Sequence, residues 1–509
     1  MIILFHKDDK VLQTEGLQGI DGMSITKALL AVAAKFPFET IVWCDVRLKE
    51  NLNREVLPTI LHHKRLLYSF NASESNYLDG IIGFAEEASP FIPVKKDVKY
   101  PTWQMSSHVG VVHAEIVNAF AEFLYVSDGF DYFLNSFAKR AMRAGLLCYS
   151  EPDLLTGTIT ESDWKRADIF DTFRFVRQHY RMRWTSLLLL DMILFKRKFP
   201  ILPYLVSVFH KKRESDENAF SAIAISSSKN IIQSGTIDVI IPTIGRKPHL
   251  YNVLKDLAAQ TYMPKKVIIV EQNPDPSSAS ELDYLTTEKW PFEIDHMFTH
   301  RSGVCAARNV ALMRTDSDFV FMADDDIRFD ANLIADVFDY FRMTGNEVIQ
   351  VAGPQPDEKI KENQILQYSV LSSGLVFLKH KCLDGIWFNP GFEFGYGEDK
   401  DFGMQLRNKG YDILLVPFVR VIHLKAPMGG FRVKPPFAWA DEVPLPKPSP
   451  TVMLFMIRNF TLEQVLGYKL IYFFKNYGKK NSLNPYTAYR NFKKQWERSE
   501  FWAKELGKR

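Results

Sequence analysis

The chain has 509 residues, of which 46% are hydrophobic and 24% are charged, and its formal net charge is +3. These values are ordinary for a globular protein, and the length predicts two or three domains with sizeable cores. A net charge this small gives no signal for a polyanion-binding protein, so we expect no nucleic-acid partner.

The cysteines and the N-terminus indicate the compartment. Cys44, Cys148, Cys305 and Cys382 are far apart and have no metal-ligand spacing, so reduced thiols in a cytosolic protein are the simplest account. The apolar run at residues 1–5 is too short for a signal peptide. We therefore expect a cytoplasmic protein.

Residues 151–235 are helical in pattern, basic and finally serine-rich, which predicts a helical basic linker between domains. Within it, residues 184–209 are the closest approach to a transmembrane segment, but Asp191 and the basic run at 196–198 argue against a spanning helix. Either a buried helix pair links the domains here, or the segment lies at a membrane interface with Trp184 at headgroup level.

An alternating pattern of strands and helices begins at Thr236. Residues 237–242 and 266–271 have strand-like sequences, residues 250–260 have helical spacing, and a further apolar strand ends at Asp324. Strands that alternate with helices predict an α/β fold with a doubly wound, mostly parallel sheet.

The strand at residues 319–323 ends in three consecutive acids. Side chains along a strand alternate between faces, so Asp324 and Asp326 share a face while Asp325 points away. Two such carboxylates repel each other unless a cation lies between them, and oxygen ligands favour Mg²⁺ or Mn²⁺, which bind phosphate oxygens. The alternative is an acidic turn that only closes the strand.

A second acidic pair opens a later helix. Glu398 and Asp399 follow a glycine-rich turn at residues 394–397, and a helix N-terminus keeps a carboxylate ionised. The alternative is an ordinary helix start, for which acidic residues are common choices.

Residues 236–425 strongly resemble family-2-type glycosyltransferases with the GT-A fold, and Gly-Tyr-Gly-Glu-Asp at 395–399 also resembles the acceptor segment of β-galactosyltransferase-type enzymes. The resemblance rests on the order and spacing of several motifs, each weak alone. Besides the acids these are Pro242-Thr-Ile-Gly-Arg246, Glu271-Gln-Asn273, His300-Arg-Ser-Gly-Val-Cys-Ala-Ala-Arg308-Asn309 and Leu371-Ser-Ser-Gly-Leu-Val-Phe377.

The resemblance implies a catalytic domain at residues 236–433 that uses a nucleotide-diphosphate sugar, expected to be a UDP-sugar. It implies a Mn²⁺ or Mg²⁺ ion held by Asp324, Asp326 and His423, although a lone histidine near a strand end is usually structural. Arg432 is a further candidate for the diphosphate. The residues expected to bind the nucleotide sugar are Pro242, Thr243, Gly245, Arg246, Glu271, Asn273, Gly303, Arg308, Asp324, Asp325 and Gly374.

The resemblance also implies the mechanism. Asp399 is expected to act as the base that removes the acceptor hydroxyl proton, and Glu398 to bind or orient the acceptor. The cation neutralises charge that grows on the departing diphosphate. Configuration inverts in a single displacement. The expected acceptor is a glycan or lipid-linked glycan in surface polysaccharide synthesis.

Two short segments of the N-terminal region resemble segments of the catalytic region. Residues 45–52 align without gaps on residues 326–333 and share Asp, Arg, Asn and Leu with them, and residues 137–145 run parallel to residues 402–410. Both 45–52 and 326–333 follow an apolar strand. The alternative is chance similarity between short α/β segments.

In this alignment the N-terminal copy lacks the acids that the catalytic region would use. Trp43 stands where the catalytic region has Asp324, and Phe133 and Leu134 stand where it has its two helix-start acids. We therefore predict that residues 1–150 form a truncated, inactive GT-A-like accessory domain for acceptor binding or dimerisation.

Residues 434–509 are predicted to be a proline-rich connector followed by a helical, basic tail. The prolines at 444–450 exclude regular helix or sheet, and residues 484–509 interleave basic and aromatic side chains. The tail is either a solvated helix or a segment that approaches a membrane or an anionic acceptor. Partners to test are therefore the inner face of the cell membrane and a second copy of the chain.

The leading hypothesis is an inverting, metal-dependent glycosyltransferase. A two-domain polysaccharide polymerase is the nearest alternative, but the N-terminal copy lacks the acids. A sugar nucleotidyltransferase could use the strand-end carboxylates, but it would not need Glu398 and Asp399 on a separate helix. A non-catalytic glycan-binding protein would have no reason to keep every expected carboxylate.

Overall fold

The structure is a computed structural model that describes residues 1–159, 164–425, 437–477 and 484–508. Its strands are β1 (Ile2–Lys7), β2 (Lys10–Glu15), β3 (Thr40–Asp45), β4 (Leu66–Phe70), β5 (Tyr100–Pro101), β6 (Val109–His113), β7 (Leu147–Ser150), β8 (Ile237–Thr243), β9 (Lys266–Gln272), β10 (Glu293–Thr299), β11 (Phe319–Ala323), β12 (Ile327–Arg328), β13 (Val348–Ala352), β14 (Leu366–Gln367), β15 (Leu375–Lys379), β16 (Leu414–Arg420) and β17 (Ile422–His423).

The α-helices lie between and after these strands. They are α1 (Ile25–Lys35), α2 (Leu57–Ile60), α3 (Ala114–Ala119), α4 (Phe130–Ala141), α5 (Ile169–His179), α6 (Met182–Lys196), α7 (Ile201–Val208), α8 (Lys247–Ala258), α9 (Tyr284–Thr287), α10 (Val304–Leu312), α11 (Leu333–Thr344), α12 (Glu398–Asn408), α13 (Pro450–Asn459), α14 (Leu462–Tyr477) and α15 (Pro485–Leu506). Within the described ranges, no helix is both long enough and apolar enough to cross a membrane.

The chain divides into two compact units. The first comprises Met1–Ser228, Asn408–Gly410 and Phe460–Asn481, and the second comprises Lys229–Arg407, Tyr411–Asn459 and Ser482–Arg509. Most of the segment predicted as a linker therefore belongs to the first unit, and the C-terminal region is shared between the two.

The second unit is built on an eight-stranded mixed sheet in the order β10-β9-β8-β11-β15-β13-β16-β14. The strands β10, β9, β8 and β11 are parallel, β15 is antiparallel to both of its neighbours, and β13 is parallel to β16. This confirms the predicted α/β class with a parallel-rich sheet. Because β8, β9 and β11 run the same way, the residues that follow them meet at one edge of the sheet.

The strand β11 lies in the core of this unit. All five of its side chains are buried, and Phe321 stacks on Phe377 of β15 with ring centroids 3.9 Å apart. Beyond this strand the chain turns through the three aspartates into β12, which pairs with β17 so that Ile327 lies opposite His423. This short ladder brings His423 beside the end of β11.

The first unit contains a seven-stranded sheet in the order β2-β1-β3-β6-β4-β7-β5. Its strands β1-β3-β6-β4-β7-β5 repeat the order of β8-β11-β15-β13-β16-β14. In both series the successive neighbours are parallel, antiparallel, antiparallel, parallel and antiparallel. Where the second unit continues with the parallel strands β9 and β10, the first has only the hairpin strand β2.

The end of β3 resembles the end of β11 in its packing on a neighbouring glycine. Trp43 pairs with Gly110 of β6, and a Cβ at Gly110 would lie 2.1 Å from the Trp43 ring. In the second unit, a Cβ at Gly374 would lie 2.0 Å from the carboxylate of Asp324. The indole of Trp43 is fully buried, and its N–H donates to the carbonyl of Ser106 at 3.0 Å. A packed indole thus stands where the second unit has an acid.

This packing predicts that Gly110→Ala destabilises the first unit. The added methyl group would overlap the ring of Trp43 and the Tyr68 carbonyl, and overpacking of this kind costs about 1 to 3 kcal/mol. Gly129→Ala is the matched control, because its Cβ would meet only the ends of the Asp9 and Lys165 side chains, at 3.3 and 3.6 Å. Calorimetric melting should show a lower Tm for Gly110→Ala alone, and equal melting of the two variants would contradict the packing argument.

Candidate active site

A cavity of about 530 Å³ opens in the second unit where β8 and β11 end. The predicted residues that line it are Pro242, Thr243, Arg246, Gly303, Arg308, Asp324, Asp325, Asp326, Glu398, Asp399 and His423. The predicted residues Gly245, Glu271, Asn273 and Gly374 lie outside its lining, and Arg432 lies outside the described residues.

Three of the lining residues could hold a metal ion. Asp324, Asp326 and His423 each offer one ligand atom, and these three atoms lie within 4.8 Å of one another. His423 Nε2 is 3.2 Å from Asp326 Oδ1, and this hydrogen bond raises the pKa of His423. Two carboxylates and an imidazole form a donor set that suits a divalent cation such as Mn²⁺. These residues therefore fit the cation expected from the sequence.

Asp325 follows β11 in the turn and is not one of these three residues. It is 5% exposed and accepts hydrogen bonds from Thr243 Oγ1 at 2.7 Å and from Arg246 at 2.6 Å. Burial raises its pKa to about 6. Arg246 also lies 2.7 Å from Asp326 Oδ2, so its guanidinium joins two of the three aspartates. Sequence reasoning placed Arg246 against phosphate and did not foresee these carboxylate partners.

A second guanidinium joins the proposed metal ligands to the proposed base. Arg308 is buried, and its two terminal nitrogens lie 3.0 Å from Asp324 Oδ1 and 3.4 Å from Asp399 Oδ1. A single rigid group thus sets the separation of these two carboxylates.

The Glu398 and Asp399 pair lies at the start of α12. Ser373 donates to Asp399 through its backbone N–H at 3.3 Å and also through its hydroxyl. Desolvation raises the pKa of Asp399, while Arg308 opposes that shift. Desolvation and then the charge of Asp399 raise the pKa of Glu398 to about 7. The pair therefore holds a carboxyl group that titrates near neutral pH, as proton transfer chemistry requires.

Two of the predicted glycines lie against carboxylates. Gly374, predicted to bind the nucleotide sugar, leaves room for the carboxylate of Asp324. A Cβ at Gly303, whose φ is +135°, would lie 2.4 Å from the carboxyl carbon of Glu393. Glu393 accepts hydrogen bonds from the backbone N–H groups of Cys305 and Ala306, both at 3.0 Å, at the start of α10. Glu393 could not be predicted from the sequence, because no local motif links it to a helix almost ninety residues earlier.

The end of β9 presents a different residue from those predicted. Glu271 Oε2 accepts a hydrogen bond from Ser280 Oγ at 2.6 Å and lies 2.9 Å from His296 Nε2. The side-chain oxygen of Asn273 accepts a hydrogen bond from the backbone N–H of Asp275. Gln272 lines the cavity instead, and its amide donates to the carbonyl of Gly303 at 3.0 Å. Strand alternation was the available signal, because it places Gln272 on the face opposite to both neighbours.

The pKa of Glu398 predicts a stability effect that depends on pH. The usual pKa of a glutamate is 4.5, whereas in the folded protein Glu398 keeps its proton up to about pH 7. The stability that this proton confers is therefore lost progressively between about pH 4.5 and pH 7. We expect Glu398→Gln to raise the free energy of unfolding by about 1 to 3 kcal/mol at pH 8.5 and much less at pH 5.

Urea unfolding in metal-free buffer at both pH values would measure this difference. Glu293→Gln is the matched control, because it removes an exposed carboxylate of the same unit and should have the same small effect at both pH values. An effect of Glu398→Gln that does not change with pH would contradict the assignment.

Comparison with known proteins identifies this part of the chain. Residues 238–397 match the family model described as Glycosyl transferase family 2. This chain contains a family 2 glycosyltransferase domain. The matched range begins in β8 and ends one residue before Glu398. No curated protein matches the chain.

Solved structures show distant similarity to part of the chain. Staphylococcus aureus TarS 1–349 is 18% identical with a TM-score of 0.32, over 37% of this chain and 60% of that one. Its complex with UDP-GlcNAc is 17% identical with a TM-score of 0.35, over 46% and 70%. The mannosyltransferase PcManGT from Pyrobaculum calidifontis, in complex with GDP-Man and Mn²⁺, is 14% identical with a TM-score of 0.29, over 53% and 73%.

Proposed function

We propose that this protein is an inverting glycosyltransferase that transfers a sugar from a nucleotide-diphosphate sugar, expected to be a UDP-sugar, to a hydroxyl group of a glycan or glycoconjugate in surface polysaccharide synthesis. One observation carries the proposal. A single cavity contains a donor set for a cation, Asp324, Asp326 and His423, together with a separate desolvated acid pair, Glu398 and Asp399. The family match supports sugar transfer as the reaction.

The proposed mechanism assigns each carboxylate one task. A divalent cation held by Asp324, Asp326 and His423 would neutralise charge on the departing nucleoside diphosphate. Asp399, oriented by Ser373 and Arg308, takes the proton of the acceptor hydroxyl, while Glu398 orients that hydroxyl. The oxygen then forms its bond to the anomeric carbon as the bond to the diphosphate breaks on the opposite face, which inverts the configuration.

The same features weigh against the alternatives. A nucleotidyltransferase would need the strand-end aspartates but not the acid pair on α12. A polymerase with two active domains would need a second set of acids, and the first unit has Trp43 packed on Gly110 at the corresponding strand end. The repeated strand order supports our proposal that the first unit is a truncated, inactive GT-A-like accessory domain that binds acceptor or mediates dimerisation.

Two substitutions should separate donor binding from transfer. Asp399→Asn is expected to retain Mn²⁺-dependent binding of a UDP-sugar within a few-fold and to lower transfer by about 10² to 10⁴-fold, because the base is lost. Asp326→Ala is expected to lose both, because the cation site is broken. Calorimetric titration against UDP-GlcNAc, UDP-Glc and UDP-Gal, with a UDP-release assay, would measure both steps.

Asp357→Asn is the control for these variants, because Asp357 is exposed in the same unit and does not line the cavity. If Asp399→Asn transferred sugar at the wild-type rate, Asp399 would not be the base. If Asp326→Ala kept unchanged Mn²⁺-dependent donor binding, Asp326 would not be a ligand of the cation.

We also propose that the first unit contacts an anionic membrane through α6, α7 and the residues beside them. Pro203 and Ser207 are the buried positions of α7, so the helix is not the core element that a buried helix pair would supply. Arg197, Lys198 and Lys211 are exposed beside it. The membrane-facing surface consists of these cations and of exposed apolar side chains, Leu194, Phe199, Ile201, Leu202, Leu205, Val206, Val208 and Phe209.

A patch of this kind matches the chemistry of a bilayer surface. Apolar side chains gain from entering the acyl boundary, and each nearby cation gains from anionic headgroups. Phe209 is 86% exposed and Leu202 is 63% exposed, and so many exposed apolar side chains in one segment are typical of an interaction surface.

Vesicle binding tests this surface. Leu202→Ser with Phe209→Ser should weaken co-sedimentation with phosphatidylglycerol vesicles at least tenfold, because the inserted apolar area is lost. The control is Leu12→Ser with Phe38→Ser, which changes exposed apolar residues elsewhere in the first unit, 51% and 80% exposed. Equal vesicle binding by the two double variants would contradict the proposed membrane contact.

A further inference from the structure

The first unit contains a second cavity, of about 370 Å³, whose lining is basic. Three segments form it: the end of α4 with the residues just after it, the end of α5, and residues 212–215 beyond α7. The five cationic side chains in the lining are Lys139, Arg140, Arg143, Lys212 and Arg213, and Glu214 is the one carboxylate among them.

Carboxylates balance only part of this charge. Lys139 pairs with Glu86, and Arg213 pairs with Asp128 at 2.7 Å. Across the described part of the chain, Arg140, Arg143 and Lys212 have no carboxylate within ion-pair distance. The cavity therefore keeps a surplus of positive charge.

Arg140 is 4% exposed, and its donors are only partly used. Its Nε donates to the carbonyl of Ser136 at 2.9 Å, and its Nη1 donates to the carbonyls of Phe123 and Glu214 at 2.6 and 2.9 Å. Its Nη2 is buried with no hydrogen-bond partner among the described residues, and the same holds for Nε2 of His179, which also lines the cavity. Buried polar atoms without partners are rare in folded proteins and call for an explanation.

The cations also act on one another. Burial, and then the positive charges led by Arg140 and Arg213, lower the pKa of His179. Burial, and then the charge of Arg213, lower the pKa of Arg140 to about 10. The charges of the neighbouring cations thus add to the effect of burial at both groups.

A helix C-terminus alone attracts cations, and that accounts for part of the cluster. Lys139 and Arg140 lie in the last turn of α4, where the helix dipole favours positive charge. Arg143 lies beyond that turn, and Lys212 and Arg213 come from a different segment. Their convergence on one cavity is not a property of a single helix end.

We propose that this cavity is a binding site for the phosphate group of a phosphate ester. Guanidinium groups match phosphate oxygens through paired N–H donors, and a phosphate supplies acceptors for donors that the protein leaves unused. The phosphate belongs either to a small soluble ester or to a lipid headgroup. The site lies in the first unit and does not depend on the proposed sugar transfer.

Titration of the full-length protein with glycerol 3-phosphate at constant ionic strength tests the soluble source. Arg143→Gln with Lys212→Gln is the test variant, because both side chains are exposed and their loss should leave folding intact. Lys7→Gln with Lys27→Gln removes the same charge from exposed positions of the first unit outside the cavity. We expect saturable binding by wild type and the control, and at least tenfold weaker binding by the test variant.

Phosphatidylglycerol vesicles test the lipid source. If the ligand is a headgroup, glycerol 3-phosphate alone does not bind, and Arg143→Gln with Lys212→Gln weakens vesicle binding more than Lys198→Gln with Lys211→Gln. That second pair removes the same charge from the membrane-facing surface and does not line the cavity. A test variant that behaves like its control in both titrations overturns the proposal.

Discussion

Repulsion among carboxylates is the constraint on which the site of the second unit depends. Asp324, Asp325, Asp326, Glu398 and Asp399 all line one cavity. Two guanidiniums hold them together, since Arg246 pairs with Asp325 and Asp326 while Arg308 pairs with Asp324 and Asp399. Pairing does not remove the cost of burying these acids, because desolvation raises the pKa values of Asp325, Glu398 and Asp399 and the charge of a neighbouring carboxylate adds to each shift. An ion at the aspartates and a substrate proton at the acid pair would each relieve part of the repulsion.

The sheet explains how so many acids reach one place. Parallel strands β8 and β11 deliver Thr243 and the aspartates to the same edge, and the antiparallel strand β15 begins there, so Ser373 lies next to Asp399. Gly374 then gives Asp324 the room it needs. The positions of the three aspartates follow from the direction of β11, and Gly374 is needed because Asp324 occupies the space beside it.

The two units place different chemistry on one strand order. At the end of β3 an indole is packed on Gly110, where the end of β11 has a carboxylate beside Gly374. The first unit instead has exposed apolar side chains on and around α7 and a cavity lined by cations around Arg140. Both features suit binding rather than bond-making.

Local pattern was sufficient to predict the α/β class, the apolar strand β11, the acids that follow it and the acids that open α12. Each of these depends on residues close together in sequence, where strand alternation and helix-start chemistry apply. The tertiary structure decided the rest. His423 reaches Asp326 only because β17 pairs with β12, Arg246 and Arg308 take carboxylate partners, and Gln272 rather than Glu271 faces the cavity. The exposure of α7 also could not be predicted from the sequence, because an apolar helix has the same pattern whether a partner covers it or not.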